Sequence, residues 1–506
     1  MTGPAAKEFH RSVTILEVGM SESDLEHDGP QFIARREFLA RAGGGIGGLA
    51  LAYLLSAEGL ITPAGASSVA LPADPLAPKR PHFPPKAKRV ISLFMFGGMS
   101  HIDTFDPKPE LTRQDGVSVA GRPGFDTGGR SAPGHLMKSP WQFHPCGQCG
   151  MPVSDLMPNI GACADDLALI RSMKSDSNNH VPAVYHMLTG SILGGRPGLG
   201  SWVTYGLGTE NQNLPAFVVM TDPRALVGGG AGNWSAGFLP SNFQGVQFRS
   251  GELPVLNLKP PQGVSPERQR QAIDFMDRLN EEFLRSHAGE QELAARIRTY
   301  ELAYRMQSEA TTAVDIGKET EATKRLYGMD KPETEIFGKQ CLLARRLVER
   351  GVRFVQLYSG GGVFDQSWDA HNAIVPNHEK RAREVDAPIA GLLRDLKQRG
   401  LLEDTLVVFH TEFGRMPFTE GSVGRDHNPK AFSVWLAGAG VRGGTIFGSS
   451  DEIGYRAADN PQTVYDLNAT ILHLLGLEHT RLTYPYNGRN MRLTDVSGEV
   501  IRPVLA

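Results

Sequence analysis

Apolar runs alternating with amphipathic helices predict an α/β chain with a mostly parallel sheet covered on both faces. Three observations carry this expectation. Short, continuous apolar runs such as Arg89 to Phe96 (RVISLFMF) read as strands buried on both sides. Stretches of helical period lie between such runs and stop at glycine. Polar loops bearing His and carboxylate follow the runs, where open parallel sheets gather their reactive groups.

The N-terminus comes first. Arg35-Arg36-Glu37-Phe38-Leu39 precedes Ala42 to Ala57, an uncharged stretch rich in Gly, Ala and Leu. Ala64-Gly65-Ala66 and Ser68-Val69-Ala70 then offer small-residue cleavage sites. This order predicts a twin-arginine export signal over residues 1–70. The protein is then expected to use the twin-arginine machinery and to reside in the periplasm or outside the cell. Residues 71–88, rich in Pro and Lys, read as a linker, and residues 89–506 as the folded domain.

Within that domain Leu167 to Arg171 and Ala216 to Met220 read as buried strands. Residues 265–327 are charged and helical in period, and read as a helical insertion. Gln340 to Arg350 is a helix stopped by Gly351, with a strand over Val352 to Tyr358. Glu379 to Arg399 is a second helix, with Ile389, Leu392, Leu393 and Leu396 on one stripe and Gly400 as its stop. Thr405 to Phe409 and Ala431 to Leu436 complete the strands.

Composition narrows the function. Lys plus Arg is 52 and Asp plus Glu is 55, a net charge of −3, which leaves no bulk electrostatic footprint for nucleic acid. No apolar run approaches the ~20 residues of a stable membrane span. Four cysteines in 506 residues make no disulfide scaffold. Cys146-Gly147-Gln148-Cys149 lacks the second pair of a zinc knuckle, so a local disulfide or idle thiols are expected.

The strand-end loops carry the chemistry. Gly97-Gly98-Met99-Ser100-His101-Ile102-Asp103 follows the first strand, and Trp368-Asp369-Ala370-His371 follows the strand at Val352. His410-Thr411-Glu412-Phe413-Gly414-Arg415 ends the next, and Gly424-Arg425-Asp426-His427 precedes Ala431. Imidazole with carboxylate is a ligand set for divalent metals, and Asp-x-His turns both groups to one side of an extended loop. A hydrogen-bonded His–Asp pair is the bland alternative in each loop. Arg415 and Arg425 read as partners for phosphate or sulfate oxygens, or as ion pairs. Ser175-Asp176-Ser177-Asn178-Asn179-His180 leads into a helix start, where His180 could be a ligand, a nucleophile or a proton carrier, or merely part of a cap. Trp368 reads as packing, and His410 as a deeper support for the site.

The order of these motifs resembles the alkaline phosphatase superfamily. More closely, the Trp368 to His371, Gly400 to Val408, Glu412 to Arg415 and Gly424 to His427 segments resemble the exported, sulfatase-like domain of unknown function 1501. Pro197-Gly198-Leu199-Gly200-Ser201-Trp202 and Asp466-Leu467-Asn468-Ala469 also fit. The resemblance implies an α/β/α sandwich like alkaline phosphatase, divalent metal, and phosphoryl or sulfuryl transfer. Departures are visible too. Glu412 and Phe413 stand where Asp and His are usual, Gly97 where a ligand Asp is usual, and His180 where a Ser, Thr or Cys nucleophile is usual. No Cys has the context that matures to formylglycine.

The expected function is an exported, metal-dependent hydrolase of small-molecule or glycan esters of phosphate or sulfate. His101, Asp103, Asp369, His371, Glu412 and His427 would hold one or two ions of zinc, manganese or calcium. His180, Arg415 and Arg425 would be the catalytic groups. The alternatives are a metal-containing cell-surface protein that binds sulfated or phosphorylated glycans without catalysis, and a structural component of an exported complex.

Overall fold

The computed structural model describes residues 74–506 apart from 122–123, 126–133, 250–253, 256–262, 287–290, 363–365 and 422. The export signal, with Arg35 and Arg36, lies outside the described residues. Residues 71–506 form one unit.

Nine strands make the central sheet among the described residues. In chain order they begin with β1 (Arg89–Met95), β2 (Leu167–Lys174), β3 (Phe217–Met220), β4 (Val246–Phe248), β5 (Phe354–Ser359) and β6 (Thr405–His410). A hairpin, β7 (Gly414–Glu420) and β8 (Gly424–Asn428), stands outside the sheet. The chain then re-enters as β9 (Phe432–Ala437), β10 (Thr445–Phe447) and β11 (Gln462–Thr463). The spatial order is β10-β2-β9-β6-β1-β5-β3-β4, with β11 also on β2. Strand β1 lies at the centre, with Ile91 opposite both Val355 and Val407 in parallel register.

The period of two along β1 divides the core. Ile91, Leu93 and Met95 enter one apolar cluster, and Val90, Phe94 and Phe96 enter the other. The first face is covered by α5 (Pro332–Glu349) and α6 (Ile374–Gln398), and by the end of α4 (Gln291–Val314). The second is covered by α1 (His180–Thr189), α2 (Leu199–Leu207) and α7 (Val464–Leu474). This is the three-layer α/β/α arrangement that the alternating pattern predicts. Helix α3 (Pro266–Ser286) precedes α4 inside the 265–327 segment.

Two details differ from expectation. Both α5 and α6 begin earlier than their apolar stripes suggest, at Pro332 rather than Gln340 and at Ile374 rather than Glu379. Pro332 and Pro376 fall in first turns, where no N–H is needed, so neither proline delays its helix. Strand β9 runs against all its sheet-mates, antiparallel to β6 and to β2. The residues between β6 and β9 are spent on the β7–β8 hairpin, so no crossover helix returns the chain to the other edge of the sheet. It comes back beside β6 in the opposite sense.

Candidate functional site

Four side chains meet at the C-terminal ends of the parallel strands. His180, Asp369, His371 and His427 bring one ligand atom each within 4.8 Å of one another. His180 opens α1 after β2, Asp369 and His371 lie in the loop after β5, and His427 is on β8.

Two glycines let the Asp369 loop enter. A Cβ on Gly97, which holds φ at +118°, would lie 2.5 Å from the Trp368 nitrogen. A Cβ on Gly424 would lie 1.5 Å from the His371 carbonyl oxygen. Trp368 N donates to Phe96 O at 2.9 Å and Arg425 N to Ala370 O at 3.0 Å, which fixes the loop from both sides. The Trp368 ring is fully buried packing. On β8 the pairing with β7 shifts register between Arg425 and His427, a bulge that re-aims the side chains there. Asp426 and His427 then lie on two sides of the His371 ring.

Hydrogen bonds determine what the cluster can do. His427 Nδ1 donates to Asn178 O at 2.7 Å, and His371 Nδ1 donates to Glu420 Oε2. Each ring therefore turns an Nε2 lone pair inward, and the two Nε2 atoms stand 2.8 Å apart. Asp369 Oδ1 lies 2.8 Å from His371 Nε2 and 3.1 Å from His427 Nε2. Three lone pairs aimed at one point repel unless a cation lies among them. Donor atoms around a tetrahedral ion at ~2.0–2.1 Å stand about 3.3 Å apart, close to the spacing here. The residues present fit a divalent metal ion, and His180 Nε2 stands beside them, 3.3 Å from Asp369 Oδ2.

The neighbouring charges shift these groups in opposite directions. Burial alone would raise the pKa of Asp369, but Arg415 and the three imidazoles hold it far below the usual carboxylate range. Burial, with Arg415 and His180 adding to it against Asp369, drives His427 well below its ordinary value. His371 is raised, because Asp369 and Glu420 outweigh its burial and the nearby Arg415. His180 is also raised, its burial outweighed by Asp369 and Glu412. Its side chain is 20% exposed while that of His427 is closed to solvent. His180 is thus the cluster's outward face.

The other expected site residues are placed differently. Glu412 is a positioning group. Its Oε1 accepts from Gly97 N at 2.8 Å and from His180 Nδ1 at 2.7 Å, and its Oε2 from Thr411 Oγ1 at 3.1 Å. His101 and Asp103 stand outside the cluster. His101 Nε2 meets Gly454 O at 2.9 Å in full burial. Asp103 accepts from Ser100 Oγ at 2.5 Å and from Arg425 at 2.8 and 3.2 Å. His101 Nδ1 is buried without a hydrogen-bond partner, yet neither residue joins the His180, Asp369, His371 and His427 group.

Both arginines are corrected as well. Arg425 is fully buried and, besides Asp103, donates to the carbonyls of Met416, Met137 and Lys138. Arg415 is equally buried and donates to the carbonyls of Gly97, Gly98, Trp368 and Arg425, and to Asp369 Oδ1 at 2.7 Å. Each guanidinium laces loops together, and neither faces an incoming anion. His410 lies inside the sheet, with Nε2 2.7 Å from Ser92 Oγ. Cys146 and Cys149 are free thiols on a small hairpin of their own.

Sequence reasoning missed Glu420 and Asp426, which group with His371 within 4.8 Å. A carboxylate just before the Gly421 turn and another beside His427 were the available signals. A family model described as "Protein of unknown function (DUF1501)" matches residues 87–505. The chain belongs to this family. Among solved structures, this DUF1501 chain is similar to the PsFucS1 sulfatase from Pseudoalteromonas sp., at 14% identity and a TM-score of 0.32, over 77% of this chain and 68% of that one. It is also similar to a phosphonate monoester hydrolase from Silicibacter pomeroyi, at 13% identity and a TM-score of 0.35, over 69% and 71%. A protein in the alkaline phosphatase superfamily from Vibrio parahaemolyticus aligns at 11% identity with a TM-score of 0.31, over 82% and 74%. Likeness at this distance carries no functional weight, so function rests on the side chains. No curated protein matches the sequence.

Proposed function

We propose that this DUF1501 protein is an exported, metal-dependent hydrolase of phosphate or sulfate esters. The observation that carries the reading is the convergence of Asp369 Oδ1, His371 Nε2 and His427 Nε2 on one point, 2.8 to 3.1 Å from one another. A bound ion would polarise an ester oxygen and lower the pKa of a water upon it.

The chain's own residues do the rest. Asp369, His371 and His427 hold the ion. Glu420 and the Asn178 carbonyl fix the two ring orientations, as outer partners of metal-binding histidines do. Arg415 pins the Asp369 carboxylate. Glu412 grips His180 through Nδ1, which leaves Nε2 directed at the cluster from its exposed side. A His held by a carboxylate in this manner is a proton carrier, here for the leaving oxygen.

The test uses protein exported with its own signal and analysed for metal, then assayed on chromogenic phosphate and sulfate esters. The expected result is bound zinc, manganese or calcium, and turnover that a chelator abolishes and the metal restores. A protein that carries no metal sinks the reading. Metal without turnover on either ester class favours the non-catalytic binding protein, a reading supported by the full commitment of Arg415 and Arg425 to the protein's own oxygens.

A further inference from the structure

Helix α3 keeps an apolar stripe partly exposed. Phe275, Met276, Leu279 and Phe283 are 58%, 50%, 38% and 50% exposed, and Tyr300 on α4 is 61% exposed. Residues 275, 279 and 283 fall four apart, on one helix face. Contiguous apolar surface of this kind marks a site of association. Beside the stripe a groove of about 420 Å³ runs between α3 and α4, lined by Val255, Ile273, Met276, Tyr300 and Met306. Apolar knob and apolar hole thus occur on the same surface, which is what a two-fold, self-complementary interface requires.

The stripe is also symmetric in sequence. Phe275 and Phe283 lie four residues either side of Leu279. Two copies of α3 laid antiparallel would set Leu279 against its own equivalent and Phe275 against Phe283. The flanks suit a like partner rather than a lipid surface. From Glu267 to Arg278 the helix carries three acidic residues (Glu267, Asp274, Asp277) and three basic ones (Arg268, Arg270, Arg278). An anionic membrane calls for a basic flank, which this is not. A net charge of −3 leaves little repulsion between copies. A 21-residue helix is about 31 Å long, and two helices side by side are about 20 Å wide. The face therefore offers roughly 600 Å² per copy, the lower end of what a stable dimer buries.

We propose that α3 and α4 form a homodimer interface, two copies pairing their α3 helices antiparallel across a two-fold axis at Leu279. The proposal is independent of the hydrolase reading. It is tested on the full mature chain by sedimentation between about 1 and about 50 µM. The wild type is expected to be a dimer. Leu279→Glu is expected to weaken it at least ~100-fold, since the change is made twice at the centre of the interface. Its far-UV dichroism and metal content should stay as in the wild type, because the side chain is already exposed in one copy. In a Cys149→Ser background, Leu279→Cys alone should give a disulfide-linked dimer through position 279, while Phe275→Cys should cross-link only together with Phe283→Cys. A wild type that is monomeric at the highest concentration overturns the proposal. So does a dimer that Leu279→Glu leaves intact. A monomer that co-floats with phosphatidylethanolamine–phosphatidylglycerol vesicles overturns it in favour of a lipid surface.

Discussion

His101-Ile102-Asp103 and Asp369-Ala370-His371 are near mirror images in sequence, and both follow parallel strands that pair with each other. Their environments are opposite. Around Asp103 the donors suffice, with Ser100 and the Arg425 fork on the carboxylate and His101 turned away to a carbonyl. Around Asp369 they do not, because among the described residues Arg415 is its only permanently charged donor and two imidazole Nε2 atoms crowd beside it. A His–carboxylate pair becomes a ligand candidate when its donor atoms converge with others on one point. Residue type and spacing alone do not decide this.

Substitutions can break the comparison. The largest effect is expected on the Asp103 side. Asp103→Ala strands a buried guanidinium and should cost about 3–5 kcal/mol in denaturant unfolding, with bound metal unchanged. On the other side His427→Ala should reverse the pattern. Metal affinity, read by competition with a chromogenic chelator, should fall by more than ~100-fold, beyond the loss typical of outer partners. Its thermal midpoint in chelator should stay close to that of the wild type. If both variants lose stability and metal together, the two regions are one site and the distinction fails.

Glu420→Gln sharpens it further. It keeps the shape beside His371 but removes the charge, so metal affinity should fall by about 10–100-fold with the fold intact. The smallest effect concerns His378, next to the Asp103 region, whose Nε2 accepts from Ser100 N at 3.0 Å. Burial, with Arg415 and Arg425 adding to it against Asp103, brings its pKa from 6.5 down to about 3. The unfolded chain binds a proton there that the fold refuses, so stability falls as pH drops through 6.5 and levels off near 3. At pH 5.5 the loss should be about 1.4 kcal/mol. His378→Gln should flatten that part of the stability–pH curve, measured by urea unfolding at each pH.

The strands were legible because their apolar runs are continuous, and parallel topology put the reactive loops at one edge. Asp369, His371 and His427 could be found from that placement. The misassignment of Arg415 and Arg425 has a definite physical cause. A guanidinium carries five donors, and which carbonyls will absorb them depends on loops that the sequence brings together only in the fold. Glu420 and Asp426 were hidden for a related reason. Glu420 meets His371 only because β7 pairs with β8, and the bulge that re-aims Asp426 and His427 leaves no mark in a sequence read by alternation.

The reversed strand has a consequence for how the molecule is made. Among the described residues strand β2 pairs only with β9, β10 and β11, the last sheet strands of the chain. It emerges from the ribosome roughly 260 residues before its first partner. Through that interval its apolar residues have no sheet to join, and unpaired strand edges of this kind are where nascent chains aggregate. The sheet stays in two halves until β9 threads between β2 and β6. His180 belongs to one half, and Asp369 and His371 to the other. The His–Asp cluster therefore closes among the last events of folding, and a chain stopped before Ala437 holds its pieces apart.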